Sequence, residues 1–247
     1  MKIELKGRKA VVTGSTAGIG RAIAEGLARA GASVVINGRG EERVSAALRE
    51  MRENLPAAEI AGFAADLATP QGADAFTAQA PDADILVNNL GTAKPKAFLE
   101  LTDDDWRDMF ELNVMSGIRM TRHYLPAMTK RGWGRVVFVS SESALAIPKE
   151  MIDYGMTKTA QLAISRGVAE SVAGTGVTVN ALAPAVIYTP LVEAMPQEQV
   201  AYMTSKIPMQ RCAQLEELVS TVEFAVSPGC SFTTGFTFDL SGGRATY

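Results

Sequence analysis

Cysteine and histidine are nearly missing from this 247-residue chain, which has two of the first and one of the second. Cys212 and Cys230 sit in no metal-ligand spacing, and one imidazole leaves no ligand set for a zinc centre. The two thiols read as reduced cysteines of a cytoplasmic protein. His123 lies in a helical stretch with no carboxylate or nucleophile motif around it, and reads as a structural or surface residue. Long apolar runs are also lacking. No segment reaches the ~20 residues that cross a bilayer. Met1-Lys-Ile-Glu-Leu-Lys6 mixes acid with base and has no apolar centre, so no signal peptide is expected. Nor is there an excess of positive charge. Twenty-four Lys and Arg against 27 Asp and Glu leave a net charge of −3, without the basic surface that a nucleic-acid partner needs.

What is present suits one large core, with 47% hydrophobic and 21% charged residues. Short β-branched runs alternate with helical stretches along the whole length. Strands are predicted at 10–13, 33–36, 59–64, 85–87, 135–139, 177–180 and 236–239. Helices are predicted at 19–30, 41–54, 71–79, 103–129, 152–172 and 215–226. This alternation implies an α/β fold: a single-domain, doubly wound parallel sheet with helices on both faces. The segment 188–208 breaks the rhythm with Pro190, Pro196 and Pro208, and reads as a lid beside a site.

Chemistry-bearing residues fall at predicted strand ends, where open α/β sheets bind ligands. Gly14, Ser15, Thr16, Gly18, Ile19 and Gly20 join the first strand to the first helix. Glycines there let backbone approach a pyrophosphate, and the helix N-terminus supplies free N–H groups. Asp66-Leu67 follows the third strand, Asn88 to Gly91 the fourth, Ser140-Ser141 the fifth and Pro184 to Thr189 the sixth. Tyr154 and Lys158 are four residues apart on one helix face. That spacing lets a cation stabilise a phenolate, and a tuned phenol can give or take a proton at a carbonyl or alcohol oxygen.

In its order of motifs the chain resembles the short-chain dehydrogenase/reductase family: Thr13-Gly-x-x-x-Gly-Ile-Gly20, Asp66, Asn88-Asn-x-Gly91, Asn113, Ser141, Tyr154-x-x-x-Lys158, Pro184 and Thr189. The likeness covers nearly the whole chain. It implies a Rossmann fold and hydride transfer between a nicotinamide cofactor and a ketone, aldehyde or alcohol. Tyr154 would be the general acid/base and Lys158 would lower its pKa and bond the nicotinamide ribose. Ser141 rather than Ser140, by its offset from the Tyr, would orient the substrate oxygen. Asn113 would hold a water in a proton relay. Asp66 with Leu67 would lie at the adenine, and Asn88 and Gly91 would line the cleft. Pro184, the Ile187 backbone and Thr189 would fix the carboxamide. Gly38 stands where an NAD-type acid is expected and Arg39 follows it, so NADP(H) is favoured and NAD(H) remains possible. Ala17 takes a position that is basic in many NADP-type members. Two further departures are Ala185 for the usual Gly, and Leu90 for the usual Ala, which adds bulk near the cofactor.

The rim residues Leu145, Ile147, Met151, Leu191, Met195 and Met203 suggest a mainly apolar pocket, with Glu142 and Lys149 read as solvated. A 3-oxoacyl-[acyl-carrier-protein] reductase is the alternative, weakened by Gly174-Thr175 where such reductases often carry an Arg. A non-catalytic dinucleotide sensor ranks lower, since Tyr154 and Lys158 are both kept. The family's habit implies a homotetramer built on the long helices and the C-terminal strand, with the tail Arg244 to Tyr247 expected at an interface.

Overall fold

A computed structural model describes residues 3–245, so the first two positions of the Met1–Lys6 stretch and the last two of the C-terminal tail lie outside the described residues. Seven parallel strands form one sheet: β1 (Lys9–Val12), β2 (Ser33–Gly38), β3 (Ile60–Ala64), β4 (Ile85–Asn88), β5 (Gly134–Val139), β6 (Val177–Pro184) and β7 (Thr237–Leu240), in the order β3-β2-β1-β4-β5-β6-β7. Every residue of β4, β5 and β6 is buried, as expected where helices cover both faces.

Period-two alternation divides the strand side chains between two cores. Val12, Ile36, Val137 and Val139 face one side, where α1 (Gly18–Arg29) contributes Ile23 and Leu27. Val11, Leu86, Val136 and Phe138 face the other, against Phe76 of α3 (Pro70–Gln79). α2 (Glu41–Asn54) adds Met51 to the first core. The strand order reverses between β1 and β4, which opens a crevice at their carboxyl ends.

The long helix expected at 103–129 is three pieces in line: α4 (Asp103–Phe110), a π turn (Glu111–Met115) and α5 (Ser116–Arg131). Apolar spacing and cap residues mark where a helix lies but not which carbonyl each N–H reaches, so the π turn was not expected from sequence. α4 starts in a capping box between Thr102 and Asp105, and α5 packs Met120, Tyr124 and Met128 into the second core. α6 (Ile152–Ser171) carries Tyr154 and Lys158. β6 runs four residues beyond the expected Asn180, because Ala181 to Pro184 pair with β7. The segment 188–208 holds two short helices, α7 (Pro190–Glu193) and α8 (Gln197–Ser205), and α9 (Leu215–Val226) closes the first core with Leu218 and Val222.

Phe138 is 1% exposed at the centre of the second core. Phe138→Ala is expected to destabilise the chain by about 3–5 kcal/mol in urea unfolding. A loss under about 1 kcal/mol would mean that this core repacks around the cavity.

Candidate active site

The carboxyl ends of β1, β4, β5 and β6 open onto one cleft, lined by Gly14, Gly18, Gly20, Asn89, Gly91, Ser141, Tyr154, Lys158, Pro184 and Thr189. A second cavity shares Thr92 with it and is lined by Arg39, Asp66 and Thr69. Together they bring most of the residues expected from sequence to one rim.

The glycine loop is shaped by its neighbours. Gly14 and Gly18 take positive φ, +60° and +56°, which L side chains rarely adopt. A Cβ on Gly20 would stand 2.4 Å from both Asn89 Nδ2 and the Gly14 carbonyl. Asn89 Nδ2 donates to the carbonyls of Thr13 (2.9 Å) and Gly14 (3.0 Å), so this side chain buttresses the turn. Asn89 was missed as a functional residue; the Asn88-Asn89 pair was its signal. α1 begins with no capping side chain and no acid in its first turn, so among the described residues no cap or first-turn acid competes for its N–H groups and positive dipole end. The loop and helix start therefore fit a pyrophosphate.

Several expected residues act from behind the cleft. Ser15 is fully buried; its Oγ donates to the Val12 carbonyl (2.5 Å) and accepts from Asn37 N (3.0 Å), tying β1 to β2. Leu67 is wholly buried in the second core and lines neither cavity, so the expected contact with the adenine is not formed by its side chain. Asn88 is 2% exposed and donates to Thr121 Oγ1 at 2.9 Å, leaving the lining to Asn89 and Gly91. Ile187 is buried in a single parallel bridge to Ala213. Thr189 caps α7, accepting from Val192 N at 3.4 Å. Leu90 packs partly into the second core, so much of its bulk is absorbed away from the cleft. Asp66 accepts from Ala68 N at 3.1 Å, and Arg39 is exposed at the end of β2. A Cβ at Gly38 would stand 2.5 Å from the Thr16 methyl, so a side chain at this position would have to displace Thr16.

Of the two candidate serines, Ser140 donates to the Lys158 carbonyl at 2.8 Å, while Ser141 is hydrogen-bonded to Tyr154. Ser141 Oγ also accepts from Ser143 N at 3.1 Å, which orients it. Lys158 Nζ lies 5.5 Å from the Tyr154 ring centre and donates to the Val139 carbonyl (2.8 Å) and Gln161 Oε1 (3.2 Å). Burial lowers the Lys158 pKa to about 7. Burial raises the Tyr154 pKa above its ordinary value; the Ser141 hydrogen bond opposes this and the Glu142 charge adds to it. The net direction is upward and set by dehydration, in place of the lowering by Lys158 expected from the spacing. Asn113 Nδ2 donates to the Thr92 carbonyl (2.9 Å) and Thr157 Oγ1 (3.1 Å), and its Oδ1 accepts from Thr92 N (2.8 Å), pinning the loop after β4.

Glu142 corrects an expectation. It is 4% exposed and pairs with Arg244 at 2.8 Å, so it is not solvated, and the described part of the tail folds back onto its own chain. Burial raises the Glu142 carboxyl against the pull of Arg244 and Lys206. Lys149 is exposed as expected, and His123 meets the Pro81 carbonyl (3.1 Å) and the Tyr124 ring.

The lowered pKa of Lys158 links stability to pH. The unfolded chain binds this proton more tightly, so the destabilisation is complete below about pH 7 and fades as pH rises towards about 10. Wild type should therefore gain stability relative to Lys158→Met between those limits, by a few kcal/mol at most, roughly. Unfolding curves that stay parallel across this range would show that Lys158 is not buried as a costly cation.

The family model for short chain dehydrogenases matches residues 8–200. The uncharacterized oxidoreductase YvaG of Bacillus subtilis is 41% identical over 258 residues, covering 98% of each chain. The 3-oxoacyl-[acyl-carrier-protein] reductase FabG of Aquifex aeolicus is 33% identical over 247 residues, covering 98% of this chain and 99% of that one. Among solved structures, L-sorbose reductase from Gluconobacter frateurii, complexed with NADPH and L-sorbose, superposes with a TM-score of 0.91 at 31% identity over the whole of both chains. With the cleft, the glycine loop and the Ser141–Tyr154–Lys158 cluster, these matches make the chain a member of the short-chain dehydrogenase/reductase family, a nicotinamide-dependent oxidoreductase that interconverts carbonyl and alcohol.

Proposed function

We propose that this chain is an NADP(H)-dependent reductase of small ketones or aldehydes, reversible toward the secondary alcohol, with Tyr154 as its general acid/base. One observation carries the reading: a half-buried phenol bonded to Ser141, its ring centre 5.5 Å from a buried ammonium, in the cleft that reaches the start of α1. The cofactor supplies or accepts the hydride. Ser141 and Tyr154 hold the substrate oxygen between them. In reduction Tyr154 gives its proton to that oxygen; in oxidation it takes the proton back. Lys158, held against the Val139 carbonyl, adds positive charge beside the phenol. Asn113 keeps the loop at Thr92 in place.

NADP(H) is favoured over NAD(H) by Gly38 and Arg39, and by the NADPH bound in the sorbose reductase. Gly14, Gly18, Ile19 and Gly20 would meet the pyrophosphate, Arg39 the 2′-phosphate and Asp66 the adenine. Pro184, the Ile187 backbone and Thr189 would hold the carboxamide. The chain is read as one domain, with 188–208 as a substrate lid whose Leu191 lines the cleft. The edge strand β7 and the exposed Phe232 and Phe236 near it support a homotetramer. Two buried, unpaired cysteines, in a structure without a helix long and apolar enough to cross a membrane among its described residues, support a cytoplasmic location. A carrier-protein reductase is the second reading, favoured by the 33% identity to FabG.

Tyr154→Phe is expected to lower NADPH-dependent ketone reduction by about 10²–10⁴-fold while nicotinamide fluorescence still reports binding. Activity above a few per cent, roughly, would sink the acid/base assignment. Arg39→Ala should weaken NADPH by about tenfold or more and leave NADH unchanged. Equal losses with both would refute the cofactor preference. A 3-oxoacyl thioester in the same ketone screen separates the two substrate readings.

A further inference from the structure

Lys158 Nζ and the Asn113 carbonyl are joined by a single side chain. Gln161, 2% exposed and one helical turn beyond Lys158, accepts from Lys158 Nζ through Oε1 (3.2 Å) and donates through Nε2 to the Asn113 carbonyl (2.6 Å). The two neighbours determine the amide's orientation. An ammonium only donates and a carbonyl only accepts, so one flip alone satisfies both. The carbonyl comes from the π turn, where Ser116 N reaches back five residues to the Glu111 carbonyl. Two carbonyls of that turn take side-chain donors: Leu112 from Ser116 Oγ (2.5 Å) and Asn113 from Gln161. The widened turn and Gln161 therefore belong to one construction.

We propose that Gln161 is a positioning residue for the Tyr154–Lys158 pair: the Asn113 carbonyl aims its amide, and the amide oxygen holds the Lys158 ammonium in a dry site. Among neutral side chains, glutamine combines this reach with both a donor and an acceptor. Its oxygen favours the charged form of Lys158 against the burial that disfavours it. With the Val139 carbonyl it takes two of the three ammonium N–H groups and leaves one for the cleft that Lys158 lines.

The other charges near Lys158 are accounted for. Tyr154 lies on the same helix, and Glu142, from the loop after β5, is paired with Arg244 and drawn toward Lys206. On α4 and the π turn, Asp105 pairs with Lys96, Arg107 with Asp104, and Glu111 with Arg119; Asp108 lines the cavity that Arg39 shares. Asp153 accepts from Tyr154 N. None of these bridges to Lys158 Nζ, whose named partners are Val139 and Gln161.

The role in turnover rests on the proposed function, whereas the hold on Lys158 does not, so the test separates them. Stability is measured against pH for Lys158 and Lys158→Met chains in three backgrounds: wild type, Gln161→Met and Gln161→Glu. In each, the two curves become parallel below the folded pKa of Lys158. That pH is expected to fall by about one unit in Gln161→Met, which lacks the acceptor, and to rise in Gln161→Glu, which sets a carboxylate against the ammonium. Shifts of opposite sign support the proposal, and either variant alone gives a sign if the other fails to fold. A pH that does not move, with only a lower melting temperature, assigns Gln161 to packing and overturns it. Where ketone reduction is measurable, kcat of Gln161→Met should fall about fivefold at pH 7, as the charged fraction of Lys158 falls. With the pH shift seen and no carbonyl substrate turned over by wild type, the proposed function fails and the hold of Gln161 on Lys158 stands.

Discussion

An ammonium withdrawn from water is the constraint around which this molecule is arranged. Lys158 is 4% exposed and among the described residues has no carboxylate bonded to it, so its charge rests on carbonyl dipoles. One is the Val139 carbonyl, at the end of a central strand buried throughout its length. The other is an amide that is itself anchored to the π turn. The Tyr154–Lys158 pair therefore draws on the sheet, on α6 and on the α4–α5 helix line. Each of these must be in register before the lysine finds its acceptors. The sheet's parallel order supplies that register, since β4, β5 and β6 end on the same side and deliver Asn89, Ser141 and Pro184 to one rim.

The phosphate end of the cleft is built by a different means. No charged side chain shapes the glycine loop; exclusion and backbone bonding do. Asn89 leaves no room for a Cβ at Gly20, and its amide takes up the Thr13 and Gly14 carbonyls. What remains facing the cleft is the uncapped start of α1. An anion there is met by dipoles already in place, with little to reorganise on binding. Thr16 extends the same logic to β2, where its methyl group occupies the space that a side chain at 38 would need.

Much of this was legible in the sequence, and the physical reason differs by element. Strands and helices repeat at 2.0 and 3.6 residues, so the seven strands and the main helices could be placed to within a few residues. Tyr154, Lys158, Ser141 and the glycine loop announce themselves by residue type at fixed spacing. Gln161, Asn89 and the Glu142–Arg244 pair did not. Each is an ordinary polar residue whose importance lies in a partner 48, 76 or about a hundred positions away, and no local pattern encodes such a partner. The π turn stayed hidden for a related reason, because its signature is a backbone bond and not a side-chain period. Leu67 and Ser15 show the converse. Their positions beside the motif were readable, but the direction of their side chains depended on packing.

The burial that positions the catalytic groups also works against their charged forms. It depresses Lys158 and raises both Tyr154 and Glu142, so the cluster prefers to be neutral. For reduction this is the useful direction. A phenol held above its ordinary pKa keeps its proton until a carbonyl oxygen develops negative charge beside it, and the Ser141 bond keeps that proton aimed. Oxidation makes the opposite demand, since the phenol must give up its proton before it can accept one from an alcohol. The groups that ease this step are those that keep positive charge near Tyr154: the ammonium of Lys158 with its two acceptors, and Arg244, which offsets Glu142 from the far end of the chain. Arg244 thereby ties the C-terminal turn to the electrostatics of the Ser141 loop. The balance between the two reaction directions is then a property of the whole fold, from the β5 loop to the last described residues.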